Sequence, residues 1–259
     1  MKRLAIISIY LVIIIYTLSA GEAQKWRPTS EYKTQNIQGW TVLVDPQLVN
    51  VEIGQNVLRQ LEHQLYEIIR VVPGPAVREL QKIKIWVDVK DVHGKYSCMV
   101  YHPGKKWLVD NEYNPDLVDS VQLTNPKNFL AWTKHQPWMI LHELCHGYHD
   151  QFLGNGHKGI AKAYEGAINN KAYLNVTHVT GKDWPKAYAL NNAQEYFAEI
   201  SEAFSSVIAS SIAAGTKTST FKERSSLFDI LSPPLKFFND LLFSLQCAIA
   251  LPRLIPFLL

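Results

Sequence analysis

Leu141-His142-Glu143-Leu144-Cys145-His146 is the stretch on which the reading of this chain turns. It lies inside Trp138 to Phe152, which reads as a helix. Pro137 suits its first turn, and Gly154-Asn155-Gly156 ends it. His142 and His146 are four residues apart, so on a helix both imidazoles project from one face, one turn apart. Their Cβ atoms then lie about 5–6 Å from each other. Two neutral imidazoles so placed can bind one Zn2+ together. Glu143 stands beside the first histidine, where its carboxylate reaches a metal-bound water and takes its proton as general base. Ile140, Leu141 and Leu144 flank the motif and suit a buried helix. The plain alternative is a solvated helix with two surface histidines and a salt-bridging glutamate.

A catalytic zinc site needs a third protein ligand and keeps water in the fourth position. His149 and Asp150 follow on the same helix. The longer pattern H-E-x-x-H-x-x-G-x-x-H fails, because residue 149 is His and residue 152 is Phe. A straight helix carries Asp150 away along its axis. His149 reads as a supporting or substrate-facing group, or simply a surface residue. The better candidate lies on the helix read from Asn192 to Ala209. There Glu195, Glu199 and Glu202 fall at i, i+4 and i+7 on one face, with Tyr196, Phe197, Ile200 and Phe204 on the others. By spacing alone a solvated acidic stripe is the plainer reading. An upstream H-E-x-x-H waiting for a carboxylate favours the ligand reading, with a further carboxylate one turn on to orient a ligand histidine.

The 259 residues suit one ordinary domain or two small ones. Apolar residues make up 47% and charged residues 19%, enough to bury a core. The formal net charge is only +3 and falls to +1 without Lys2 and Arg3, so no basic field points to nucleic acid. The N-terminus reads as a secretory signal over residues 1–20. Lys2 and Arg3 are followed by the apolar run Leu4 to Leu18, then by Ser19, Ala20 and Gly21. The chain is therefore expected to be secreted, in a compartment that permits disulfides. Cys98, Cys145 and Cys247 allow one bridge and leave one thiol over. Cys145 reads as packing rather than a nucleophile. His93, His102, His135, His157 and His178 read as surface residues, and the seven tryptophans as core or pocket lining. Asn175-Val176-Thr177 is a glycosylation sequon, usable if exposed.

Elsewhere, Trp40 to Val44 reads as a strand and Val57 to Val72 as an amphipathic helix stopped by Pro73-Gly74-Pro75. Ala76 to Leu80 reads as a short helix. Ile83, Ile85, Val87 and Val89 alternate with Lys84, Trp86 and Asp88, the pattern of a half-buried strand, in the order expected of an edge strand that pairs with an extended peptide. Tyr96 to Tyr101 and Lys106 to Val109 read as short strands around His102-Pro103-Gly104. Val118 to Leu123 reads as a further strand and Ile160 to Asn170 as a helix. Strands and a helix first, then mostly helices, make the class α+β. Composition shifts after Phe204, so residues 25–204 read as the domain and 205–259 as a Ser/Ala-rich and apolar C-terminal segment. Its apolar run Leu241 to Leu251 is short for a membrane span, so tethering is not the favoured reading.

The H-E-x-x-H motif, then Tyr188, then Asn192-Ala193-Gln194-Glu195-Tyr196-Phe197-Ala198-Glu199, resembles the gluzincin metallopeptidases, in the branch of the anthrax lethal factor catalytic domain and its small secreted relatives. The motifs span Ile140 to Phe204; beyond Phe204 the chain departs from the aromatic and acidic segment of those relatives. The resemblance implies a zincin-like fold and one Zn2+ per chain, held by His142, His146 and Glu195. It implies Glu143 as general base, Tyr188 as stabiliser of the tetrahedral intermediate, Glu199 as the carboxylate behind the ligands, and a peptide or protein substrate. The competing expectation is a secreted zinc-binding module of the same fold without proteolytic activity.

Overall fold

The computed structural model of the chain describes residues 25–171, 173–178 and 181–213. The signal segment 1–20, Cys247, the apolar run 241–251 and all of the C-terminal segment past 213 lie outside the described residues.

The first two strands, β1 (Lys33–Ile37) and β2 (Trp40–Val44), form a hairpin over Gln38-Gly39. Both turn residues have positive φ, +52° and +92°, as a two-residue turn between twisted strands requires. The helices α1 (Glu52–Val71) and α2 (Gly74–Leu80) follow, broken at Pro73 as the sequence suggests. Next come β3 (Ile85–Val87), β4 (Met99–His102), α3 (Lys105–Asp110) and β5 (Ser120–Leu123). The helices α4 (Pro126–Trp132) and α5 (Met139–Tyr148) lead into a π-helical turn, His149–Leu153, which ends at Gly154 with φ +79°. After α6 (Lys158–Asn169) a small hairpin is made by β6 (Leu174–Thr177) and β7 (Asp183–Lys186). The last described element is α7 (Ala193–Ala213). It passes unbroken through the composition change at residue 204.

The fold is α+β: a five-stranded mixed sheet in the order β1-β2-β3-β5-β4, with seven helices among the described residues. The central strands β2, β3 and β5 are parallel, and β1 and β4 run antiparallel at the edges. Parallel strands are covered on both faces. On one face Val42, Val44, Ile85, Val87 and Val121 meet α1 and α5 in the main core. On the other, Leu43 and Trp86 meet Leu108, Tyr113 and Leu117 in a smaller cluster.

Three expectations change here. The strand expected over Ile83 to Val89 is three residues long, central and buried on both faces, so it offers no free edge. Trp86 is 1% exposed and meets Tyr32 edge-on at 4.8 Å, which removes the exposed face that the alternation implied. The free edge near the H-E-x-x-H helix is β4 instead. Lys106 to Val109 is helical, within α3, because only Leu108 is buried there and Val109 turns outward. His102 is buried in β4 and bonded through Nε2 to Gln122 Oε1 at 2.8 Å, rather than lying on the surface.

The helix α5 lies close against this edge because residue 147 is glycine. A Cβ there would sit 2.7 Å from Ile83 Cδ1 and 3.0 Å from Tyr101 Cε2. Gly147→Ala gains about 0.5–1 kcal/mol of helix preference but forces overpacking that costs about 1–3 kcal/mol. The expected net result is a lower Tm, with Gly147→Val lower still, read by thermal unfolding. An alanine variant as stable as the parent would show that α5 and β4 do not need this approach.

Candidate metal centre

The helix α5 crosses the sheet and packs along α7, and the ligand atoms meet between the two helices. The start of α7 is fixed by Asn192, whose Oδ1 accepts from Gln194 N at 2.9 Å and Glu195 N at 2.8 Å. That cap sets the first helical turn and with it the direction of Glu195.

His142 Nε2 and His146 Nε2 lie 3.1 Å apart. Glu195 Oε2 lies 3.2 Å from the first and 3.4 Å from the second. A tetrahedron with metal–ligand bonds of about 2.0–2.1 Å has edges of about 3.3–3.4 Å. The three donor atoms therefore already mark out one face of such a tetrahedron. Glu195 Oε2 is buried with no well-directed hydrogen bond, a need that a metal ion meets. Burial works against the charge of Glu195, but the imidazoles of His142 and His146 hold its carboxyl down at about 2. The group His142, His146 and Glu195 can thus hold a metal ion.

Behind it, His142 Nδ1 faces two more carboxylates, Glu202 Oε1 at 3.4 Å and Glu199 Oε1 at 3.5 Å. Burial, and then the charge of Glu202, raises Glu199 to about 7. Gln136 Nε2 donates to Glu202 Oε1 at 3.0 Å. With Glu143 beside them, four carboxylates crowd two imidazoles. A divalent cation offsets that excess of negative charge.

Glu143 Oε2 accepts from Tyr101 N of β4 at 2.9 Å. In the antiparallel pairing, Cys98 O accepts from Thr124 N, so Met99 and Tyr101 turn their backbone groups away from β5. The base is thus held by the free edge of the sheet. Tyr188 lies in a single 3₁₀ turn, Tyr188–Leu190, and is half-exposed. Burial, with the charge of Glu195, raises its hydroxyl, which keeps its proton and can donate.

The other candidates for third ligand lie elsewhere. Asp150 accepts from Tyr101 OH at 2.8 Å and from Asn155 Nδ2 at 2.6 Å. His149 is 1% exposed, packs edge-on against Phe197 at 5.4 Å, and does not line the cavity. The substrate-facing reading does not hold, because His149, whose N–H still bonds back to Cys145 O as in an α-helix, lies on the side of α5 that Phe197 of α7 covers. Burial, and then the nearby His146, lowers its pKa to about 4. Cys145 packs between α5 and α7, and burial pushes its thiol up to about 12, unsuited to a nucleophile. Among the described residues Cys98 and Cys145 are both free thiols. Asn175 is exposed on β6 with φ +53°, and Thr177 Oγ1 of its sequon donates to Asp183 Oδ1 at 2.8 Å.

A cavity of about 600 Å3 opens onto His142, Glu143 and Tyr188. Its other walls include Met99, Trp132, Met139, Val176 and Trp184. The hairpin β6–β7 supplies one side, where Trp184 stacks on His178 at 4.9 Å. Sequence reasoning missed Gln136, the Tyr101 amide and the hairpin. Glu202 was visible on the acidic face of α7 but was given no certain role. No helix among the described residues is long and apolar enough to cross a membrane. Comparison with protein-family models, curated proteins and solved structures gives no match to this chain.

Metal binding should release protons. Burial opposes a charge on His142, but hydrogen bonding to Glu195 and Glu202 outweighs it and raises its pKa well above 6.5. At pH 7 the metal-free ring is protonated, whereas a ligand nitrogen must be neutral. About one proton should leave per zinc bound at pH 7, and affinity should rise with pH until the ring deprotonates unaided. Calorimetric titration in buffers of different ionisation enthalpy reads this directly. Zinc binding without proton release would show that the metal-free His142 ring is already neutral at pH 7.

Proposed function

We propose that the chain is a secreted, zinc-dependent metallopeptidase of zincin-like fold and gluzincin type, hydrolysing peptide bonds. The observation that carries this reading is the convergence of His142, His146 and Glu195 donors at 3.1–3.4 Å, with Glu143 alongside and a cavity that opens onto His142, Glu143 and Tyr188. Two histidines and a glutamate are the donor set of catalytic zinc sites that keep one position open. A zinc ion held there supplies Lewis acidity and lowers the pKa of a water towards ~7.

The remaining work falls to the protein. Glu143 takes the proton of the attacking water and returns it to the leaving amine. The Tyr101 amide fixes one oxygen of that carboxylate, so the base is positioned before substrate arrives. Tyr188 donates a hydrogen bond to the oxyanion that develops on the former carbonyl. Met99 turns its backbone groups to the same free edge, where an extended peptide adds as a further strand. The cavity walls are largely apolar and aromatic, with Ser97, His135, Gln136 and His178 among them, and its acidic groups are Glu143, Glu199 and Glu202. Bulky apolar side chains beside the cleaved bond are therefore favoured and acidic ones disfavoured. The N-terminal charged and apolar pattern supports export, and the exposure of Asn175 suits a glycosylated surface.

Zinc-loaded protein assayed on a peptide library tests the reading. Glu143→Gln should keep its zinc and lose about 10²–10⁴-fold in kcat. Tyr188→Phe should lose about 10²–10³-fold in kcat with little change in KM. Full activity in Glu143→Gln would overturn the mechanism. A zinc-loaded parent that cuts no peptide would leave the non-proteolytic zinc-binding module.

A further inference from the structure

A metal-binding imidazole has a second nitrogen, and the partner of that nitrogen fixes the ring plane and raises its basicity as a ligand. The spacing resemblance gives that task to Glu199. The structure offers His142 Nδ1 two carboxylate oxygens at nearly equal range, Glu202 Oε1 at 3.4 Å and Glu199 Oε1 at 3.5 Å. Distance does not choose between them; anchoring does. Glu202 Oε1 also accepts from Gln136 Nε2 at 3.0 Å, while Glu199 has no hydrogen bond of this kind among the described residues. A side chain locked by its own hydrogen bond holds a ligand more firmly than one that depends on the ligand alone. We propose that Glu202, anchored by Gln136, is the positioning residue for His142. This rests on the metal reading of the site.

Gln136 is itself fixed. It lies between α4 and α5, its N–H bonded to Trp132 O at 2.8 Å and its carbonyl accepting from Met139 N at 3.3 Å. It therefore belongs to the backbone turn that starts the H-E-x-x-H helix. Its amide reaches across to α7 and joins the two ligand-bearing helices through Glu202. Gln136, Glu202 and His142 also line the cavity together. His142 Nδ1 is buried and makes no well-directed hydrogen bond, and Glu202 and Glu199 are the carboxylates that face it.

The test is zinc affinity by chelator competition, measured on the parent and on Glu202→Gln, Glu202→Ala, Glu199→Gln and Gln136→Leu. Thermal unfolding of the metal-free proteins controls for folding. Glu202→Ala should weaken zinc by about 10–100-fold. Glu202→Gln and Gln136→Leu should move the same way by less, and Glu199→Gln should stay close to the parent. The second readout is the Nδ1–H proton resonance of zinc-loaded His142. It should shift upfield in Glu202→Gln and stay in place in Glu199→Gln, and this distinguishes positioning from general destabilisation. The opposite ranking would give the role back to Glu199. Two zinc ions per parent chain, one of them lost in Glu202→Gln, would make these carboxylates direct ligands and overturn the proposal. No zinc in the folded parent would overturn the metal centre as a whole.

Discussion

Everything at the site depends on the packing of α5 against α7. That contact brings two imidazoles from one helix and a carboxylate from the other to a common point, with 3.1–3.4 Å between donor atoms. It also buries Glu199 and Glu202 behind them. Like charges gathered in a low-dielectric interface oppose folding unless they are paired or neutralised. The apolar surfaces on either side supply the opposing force: Leu144 and Tyr148 of α5, and Tyr196 and Phe197 of α7, are all essentially buried. Each such side chain contributes about 1.5–3 kcal/mol on leaving water. The site is thus a polar interior held in place by an apolar frame, with net negative charge left for a cation.

The sheet contributes by position rather than chemistry. Its edge strand β4 lies under the close approach that Gly147 allows, and its outward amide at Tyr101 holds Glu143. The opposite face is stitched by a polar chain. His102 bonds Gln122, and Gln122 Nε2 donates to Asp88 Oδ2 at 2.6 Å. Tyr32 OH donates to the other oxygen of Asp88. This chain ties the leading segment of the domain to three neighbouring strands. It keeps β4 fixed from the side away from the metal.

The motif helix, the acidic face of α7 and the order of the main elements were legible in the sequence because each has its own periodicity. The pairing of His142 with His146 and the stripe of Glu195, Glu199 and Glu202 follow from helical spacing, which survives folding unchanged, whereas the choice of Glu195 within the stripe came from the family resemblance. The errors arose where tertiary contact decides the outcome. Alternation in Ile83 to Val89 is the same for an edge strand and for one whose second face is covered by aromatic residues, and only Tyr32 and Trp86 in contact distinguish them. The strand β1 is polar along much of its length and owes its place to the Gln38-Gly39 turn. Gln136 has no local signature, since its function is a hydrogen bond across 66 residues of chain. His149 looked available on a straight helix, but it falls on the side of α5 that α7 covers, against Phe197.

The central claim is that one metal ion bridges α5 and α7 through His142, His146 and Glu195. Elemental mass spectrometry of the purified protein, beside Glu195→Ala of equal fold, tests it most directly. The account predicts about one zinc per chain in the parent and its near-complete loss in the variant. Equal zinc in both proteins would place the third ligand elsewhere, and no zinc in a correctly folded parent would contradict the metal centre itself.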